Sequence, residues 1–266
     1  MRIDAVFTPA GLNPGEVQGR TVFVIDILRA TTTMCAALRH GARAIIPVAS
    51  TEEALRLAQT IGSTDVLLAG EKDCMRIPGF QLGNSPLEMT EATVGGKTIV
   101  VTTSNGTKAL LACQGASSVY PAAAVNLSLA AEKAREALRT EGHILIVCAG
   151  RQGAFSLDDA YCAGRLVAAI LGDRKPRRGL NDSALASLDL VRRYGDHWER
   201  PLARSQAGRE LIKQGFREDL REAGRLDAYP VLPYFHERRV TLEGTRERGS
   251  VPPSSVPSLP HTGSHA

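Results

Sequence analysis

Asp26 and Arg29 stand at the end of the apolar run Val22-Phe23-Val24-Ile25 and are followed at once by Thr31, Thr32 and Thr33. A carboxylate, a guanidinium and three hydroxyls packed this closely suit an oxyanion such as phosphate, with or without a metal. The guanidinium can grip phosphate oxygens bidentately, and the Thr hydroxyls with the N–H groups of a helix start can complete the anion site. The carboxylate can coordinate a divalent cation or attack phosphorus. The competing structural reading is a capped helix start with an Arg–Asp pair. A second cluster, Thr102-Thr103-Ser104-Asn105-Gly106-Thr107, surrounds a glycine with small hydroxyl side chains before a helix. Backbone donors can approach an anion closely there, although the Walker lysine spacing is absent and a polar turn with a Thr cap explains the same residues. Asp158 and Asp159 lie near a third helix start, where the helix dipole favours acids in any case. If Asp26 and Glu71 meet in space, either aspartate could complete a magnesium site with them.

Two familiar phosphatase patterns are excluded by spacing. An aspartate nucleophile of the haloacid-dehalogenase kind needs D-x-D, and the second position here is Leu28. A tyrosine-phosphatase loop needs an arginine six residues after its cysteine, and that position after Cys148 is Ala154. Cys148 therefore reads as a small buried apolar residue. The six histidines show no metal-ligand spacing, and the five cysteines are scattered without a C-x-x-C pair, so neither a zinc site nor a disulfide framework is expected.

These groups must be positioned by alternating strands and helices. Residues 3–7, 22–27, 44–48 and 66–69 read as strands, and helices are expected over 31–40, stopped by Gly41, and from Ser50 or Thr51 to about 60. Further strands follow Gly96 and Gly142, the latter leading to a helix from about Ser156, and Asp182 is the expected cap of a helix running to Tyr194. Such alternation implies an α/β fold, a three-layer α/β/α arrangement with a largely parallel or mixed sheet. Gly19-Arg20-Thr21-Val22-Phe23-Val24 resembles Gly96-Lys97-Thr98-Ile99-Val100-Val101, which suggests repeated strand-loop-helix units with their polar loops at one sheet edge. Between Glu71 and Ser85 the chain has no periodicity, as binding loops often do. Ser85 is explained as an N-cap, with Pro86 at N1 and Glu88 closing a capping box. Residues 1–241 are expected to form one domain with a helical part at about 172–225, and the Pro- and Ser-rich stretch 242–266 a disordered tail.

Composition narrows the class further. Of 266 residues, 43% are hydrophobic and 23% charged, an ordinary globular balance, and no apolar stretch is long enough to span a membrane. The N-terminus lacks the basic and apolar segments of a signal peptide, so a cytoplasmic protein is expected. The basic excess sits in 174–225, with 13 Lys/Arg against 8 Asp/Glu interleaved on helical sequence. That pattern is a solvated helix face rather than a nucleic-acid surface.

Taken together, the segments VIDILRATTT (24–33), AGE (69–71), PGFQLGNSP (78–86), GKTIVVTTSNGT (96–107), CAGRQGAFSLDDAYCAG (148–164) and, more loosely, NDSALA (181–186) and QGFREDL (214–220) resemble the 2-phosphosulfolactate phosphatase family. The resemblance runs from the first strand to about residue 235. It implies a three-layer α/β/α phosphatase that uses Mg²⁺ to convert 2-phospho-3-sulfolactate, or a related 2-phospho acid, to the 2-hydroxy acid and phosphate, a step of coenzyme M biosynthesis. On this reading Asp26, Arg29 and Glu71 are catalytic, and Asp26, Glu71, Asp158 and Asp159 supply metal ligands. Thr31, Thr32, Asn84, Asn105, Gly106, Thr107 and Arg151 bind a small anionic phosphorylated substrate, with Lys72 and Arg76 as further cationic candidates. Gln81 departs from the family's usual Asp, and Lys72-Asp73-Cys74 from its Gly-rich sequence after Glu71. Partners other than substrate are not implied, and a homo-oligomer is left open. A non-catalytic binding module for an anionic phosphorylated metabolite is the alternative.

Overall fold

The uninterrupted apolar runs become the middle of a large sheet. In the computed structural model, which describes residues 1–62, 64–174 and 178–242, ten strands form one mixed sheet. They are β1 (Arg2–Val6), β2 (Thr21–Ile25), β3 (Ala44–Pro47), β4 (Val66–Lys72), β5 (Met75–Arg76), β6 (Thr98–Thr102), β7 (Ser118–Ala122), β8 (His143–Cys148), β9 (Pro233–His236) and β10 (Arg239–Leu242). All five residues of β2 are buried, as expected of a strand covered on both faces. The order across the sheet is β1-β8-β2-β7-β9-β10-β3-β6-β4-β5.

Two parallel blocks make up this sheet. The pairs β1/β8, β8/β2 and β2/β7 are parallel, and so are β3/β6 and β6/β4. The antiparallel hairpin β9–β10 is inserted between them, with Val119 opposite Phe235 on one side and Val240 opposite Ile45 on the other. Three successive antiparallel pairings make the blocks run in opposite senses. The sheet is therefore α/β and mixed, with helices such as Ala30–Arg39 and Leu157–Leu171 following β2 and β8. The ends of β2 and β6, five steps apart in the sheet, nevertheless meet. Gly106, which opens the helix after β6, abuts Asp26 at the end of β2.

The sequence similarity between 19–24 and 96–101 has a physical counterpart. Gly19 and Gly96 both adopt φ of +70°, in the left-handed region that glycine occupies without steric cost, two residues before β2 and β6 begin. Gly41 closes the helix Ala30–Arg39 with φ +85° and a bond from its N–H to the Leu38 carbonyl, and Ser50 caps the helix Thr51–Ile61, both as expected.

Several boundaries are corrected. β4 continues through Gly70-Glu71-Lys72 and turns back into β5, so Glu71 lies in a strand rather than a loop. The helix Asp182–Tyr194 is capped by Asn181, whose side chain accepts from the Ala184 N–H, and Asp182 is its first residue. Ser85 does cap the short helix Pro86–Glu88, but the Glu88 carboxylate accepts from the Gly83 N–H at 2.5 Å instead of closing a capping box. Leu242 belongs to β10, opposite Pro233, and not to the tail. The remainder of the expected tail, 243–266, lies outside the described residues. Among the described residues no helix is long and apolar enough to cross a membrane.

Candidate active site

The site is assembled where four strands end. Asp26 follows β2, Glu71 lies at the end of β4, Ser104 and Asn105 follow β6, and Arg151 and Gln152 follow β8. With Leu28, Arg29, Asp73, Cys74 and Asn84 they line a narrow cleft, completed by Ala207 and Leu211 of the helix Gln206–Lys213. A small adjoining chamber shares Asp26, Asn105 and Arg151 and adds Ser156, Asp158 and Asp159. The structure thus brings together Asp26, Arg29, Glu71, Asn84, Asn105, Arg151, Asp158 and Asp159 from the expected set.

Asp26 is buried and holds its place through local hydrogen bonds. Its Oδ1 accepts from the Ala30 N–H at 3.2 Å. Burial, with smaller contributions from the Asp158 and Glu71 charges, pushes its carboxyl up to about 7 against the opposing pull of the Ala30 N–H and of Arg29. Gly106 is there for space: a Cβ would come within 2.6 Å of Asp26 Oδ2 and 2.5 Å of the Ala30 Cβ. Its contribution is close packing against the carboxylate.

The other acids divide into two kinds. Glu71 accepts from the Cys74 N–H at 2.9 Å through one oxygen and from the Ser104 N–H at 2.8 Å through the other. Asp159 accepts from the Ile27 N–H and the Gly150 N–H, each at 3.0 Å. Each carboxylate therefore clamps two strand-end loops together. Asp158 is hydrogen-bonded by the Ser156 hydroxyl. Burial raises the pKa of Asp158, and burial with the neighbouring Asp158 and Asp26 charges raises that of Asp159. Asp26 and Asp158 are the pair whose oxygens are left without two backbone amides, and they face the same chamber. Among the described residues no group of three or more His, Cys, Asp or Glu side chains is arranged as a metal cage.

Arg29 is buried, at 3% exposure. Its Nη1 donates to Asp219 Oδ2 at 2.6 Å, its Nη2 to the Cys74 carbonyl at 2.7 Å, and its guanidinium lies 4.5 Å from the centre of the Phe216 ring. Among the described residues, the buried Nε of Arg151 and the buried Oδ1 of Asn84, itself 4% exposed, have no hydrogen-bond partner. Asn105 Oδ1 accepts from the Gln152 N–H at 2.9 Å, tying the β6 loop to the β8 loop.

Three expected substrate ligands are placed differently. Thr31 donates to the Asp26 carbonyl and Thr32 to the Ile27 carbonyl, both at 2.8 Å, and both are fully buried away from the cleft. Thr107 is likewise buried, exchanging hydrogen bonds with Thr103. A helix start needs its N–H and C=O groups satisfied, and these hydroxyls do that locally. Lys72 and Arg76 are exposed and line neither chamber, and Arg76 donates to the Gln81 carbonyl. Gln81 itself accepts from the Leu68 N–H at the side of β4, so its departure from the family pattern falls outside the cleft. Cys148 is fully buried and burial raises its thiol pKa strongly, in keeping with a packing role.

Asp219 is the functional neighbour that residue spacing did not single out. It sits in an alternating charged run, Arg217-Glu218-Asp219, which reads as solvated helix. One signal was present: Asp219 lies one turn from Phe216 and from Ala223, on the helix face that carries the apolar residues.

The 2-phosphosulpholactate phosphatase family model matches residues 6–238. A probable 2-phosphosulfolactate phosphatase of Symbiobacterium thermophilum is 41% identical over 227 residues, 85% of this chain and 96% of the relative. Probable 2-phosphosulfolactate phosphatases of Carboxydothermus hydrogenoformans and Thermotoga petrophila are each 36% identical, covering 92% and 87% of this chain and 99% and 94% of the relatives.

Proposed function

Because this chain belongs to the 2-phosphosulpholactate phosphatase family and is a phosphoric monoester hydrolase, we propose that it hydrolyses 2-phospho-3-sulfolactate, or a related 2-phospho acid, with Mg²⁺. The observation that carries this reading is a cleft whose walls join a buried carboxyl raised to about 7, Asp26, to two guanidinium groups, Arg29 and Arg151. A phosphomonoester dianion repels an incoming nucleophile, so its charge must be neutralised as the leaving oxygen departs.

Mg²⁺ is commonly held by one or two carboxylates, with water and substrate oxygens completing its shell. Asp26 and Asp158 fit that need, since burial penalises their charged forms and a cation would relieve it. When bound, such an ion would neutralise phosphoryl charge and polarise the bond being broken. Arg151, with its unpartnered Nε, binds phosphoryl oxygens from the side of the β8 loop, and Arg29 does so from the β2 loop. Asn84 and Asn105 orient the ester between them. Ala207 and Leu211 limit water in the cleft. Asp26 acts at its carboxylate oxygen, either attacking phosphorus or managing the proton of the attacking water.

The test is phosphate release from a panel of 2-phospho acids, with and without Mg²⁺. Turnover that depends on Mg²⁺ is expected, with 2-phospho-3-sulfolactate or a close analogue preferred. Saturable binding without phosphate release at any Mg²⁺ concentration would favour a binding module and overturn the proposal.

A further inference from the structure

The carboxylate of Asp219 joins three elements that have no sequence proximity. Its Oδ2 takes Arg29 Nη1 at 2.6 Å and its Oδ1 takes the Ser85 hydroxyl at 2.7 Å, with Asp219 at 2% exposure and Arg29 at 3%. The Cys74 carbonyl fixes the second guanidinium nitrogen and Phe216 covers the ring-facing side. A guanidinium constrained at two nitrogens and one face can present only its remaining N–H groups, and Arg29 lines the cleft beside Asp26. A buried ion pair adds little net stability, since desolvating both charges offsets their attraction. What this pair does supply is direction: Arg29 is kept from swinging toward the acids Asp26 and Glu71, whose charges it already feels or shares a wall with.

We propose that Asp219 is a positioning residue, which aims the Arg29 guanidinium at the phosphoryl site and docks the C-terminal helices onto that site at the same time. The docking side is a small apolar cluster of Cys74, Leu211, Phe216 and Leu220, joined to the main core through Leu28. The proposal rests on the reading of the cleft as a phosphoryl site. Released from Asp219, Arg29 would pair with a neighbouring carboxylate and lose its phosphoryl contact.

The experiment is calorimetric binding of inorganic phosphate to the full chain in the presence of Mg²⁺, alongside kcat and KM on the best 2-phospho acid. Asp219→Asn should weaken phosphate binding and raise KM by about 10- to 100-fold, the scale of a misplaced binding group, and Asp219→Glu should recover part of it. In an Arg29→Lys background the same Asp219→Asn change should cost nothing more, because it acts through Arg29. Unchanged phosphate affinity in folded Asp219→Asn, or losses that add in the double variant, would overturn the proposal. Should Asp219→Asn not fold, Ser85→Ala removes one anchor and keeps the charge. Weaker phosphate binding then supports the proposal, and an unchanged value overturns it. A parent that binds phosphate yet turns over no 2-phospho acid would sink the hydrolytic reading while leaving the role of Asp219 measurable.

Discussion

Replacing Asp26 with Asn should make the metal-free protein more stable at slightly alkaline pH while abolishing its activity. The folded chain holds the Asp26 carboxyl at about 7, whereas an unfolded aspartate titrates near its ordinary 3.8. As pH rises from about 4, the unfolded chain gives up this proton first, so stability falls until pH passes about 7. The gap corresponds to about 4 kcal/mol, at 1.36 kcal/mol for each pH unit, and this is an upper bound because the buried site relaxes. Asn keeps the shape and can still accept from the Ala30 N–H, but carries no charge to desolvate. Urea denaturation at pH 4 and pH 8 in a chelator should show a steeper loss for the parent than for Asp26→Asn, with the difference approaching a few kcal/mol at pH 8. Asp158 and Asp159, also raised, act in the same direction, and because the Asp26 charge helps raise Asp159, Asp26→Asn removes that share of the Asp159 slope as well, which widens the difference. Adding Mg²⁺ at pH 8 should restabilise the parent and leave Asp26→Asn nearly unmoved. Equal pH slopes in the two proteins would refute the reasoning about Asp26, and equal Mg²⁺ effects would refute its place at the cation.

Gly106→Ala should lower activity and cost about 1–3 kcal/mol by thermal or urea unfolding, since its Cβ collides with Asp26 and Ala30. Glu71→Gln replaces one acceptor with a donor facing the Cys74 or Ser104 N–H and should cost about 1–3 kcal/mol, measured the same way, with a drop in kcat as the β4 and β6 loops part. Thr31→Val should cost about 1 kcal/mol of stability while KM stays constant; a raised KM would return Thr31 to the substrate site. Gln81→Asp should leave kcat/KM within about twofold of the parent, because the side chain lies against β4 and not in the cleft.

The strands that carry the site were legible because burial on both faces writes itself as unbroken apolar sequence, as at Val22–Ile25 and Ile144–Val147. Helix starts at Ser50 and Ser85 were legible because caps have local chemistry. The hairpin β9–β10 was not, since it uses Glu237 and Arg238 at φ of +47° and +61°, where the usual signal is Asn or Gly. Its pairing on both sides is long-range, and nothing near residue 235 in sequence announces Val119 or Ile45. Most of the polar residues that line the cleft were named by type, and Asp219 behind Arg29 was not. Side-chain orientation was not legible, and the threonines show why. A hydroxyl after a strand has the same sequence signature whether it faces a ligand or satisfies the backbone, and Thr31, Thr32 and Thr107 do the latter.

The division among the four acids follows from the same distinction and bears on how the site works. Glu71 and Asp159 each receive two backbone N–H groups from different loops, which fixes the geometry of the cleft before any ligand arrives. Asp26 and Asp158 lack such pairs of amides and face the chamber, with their protonated forms favoured by burial. Exchanging the two kinds should therefore fail differently. A neutral replacement at Glu71 or Asp159 removes the clamp and is expected to disturb loops and stability with or without Mg²⁺. A neutral replacement at Asp26 or Asp158 is expected to preserve the loops and to remove the response to Mg²⁺. Hydrogen exchange of the Cys74, Ser104, Ile27 and Gly150 amides separates the two cases, because those amides lose protection only when the clamp is lost. Equal protection in all four variants would mean that the acids share one role.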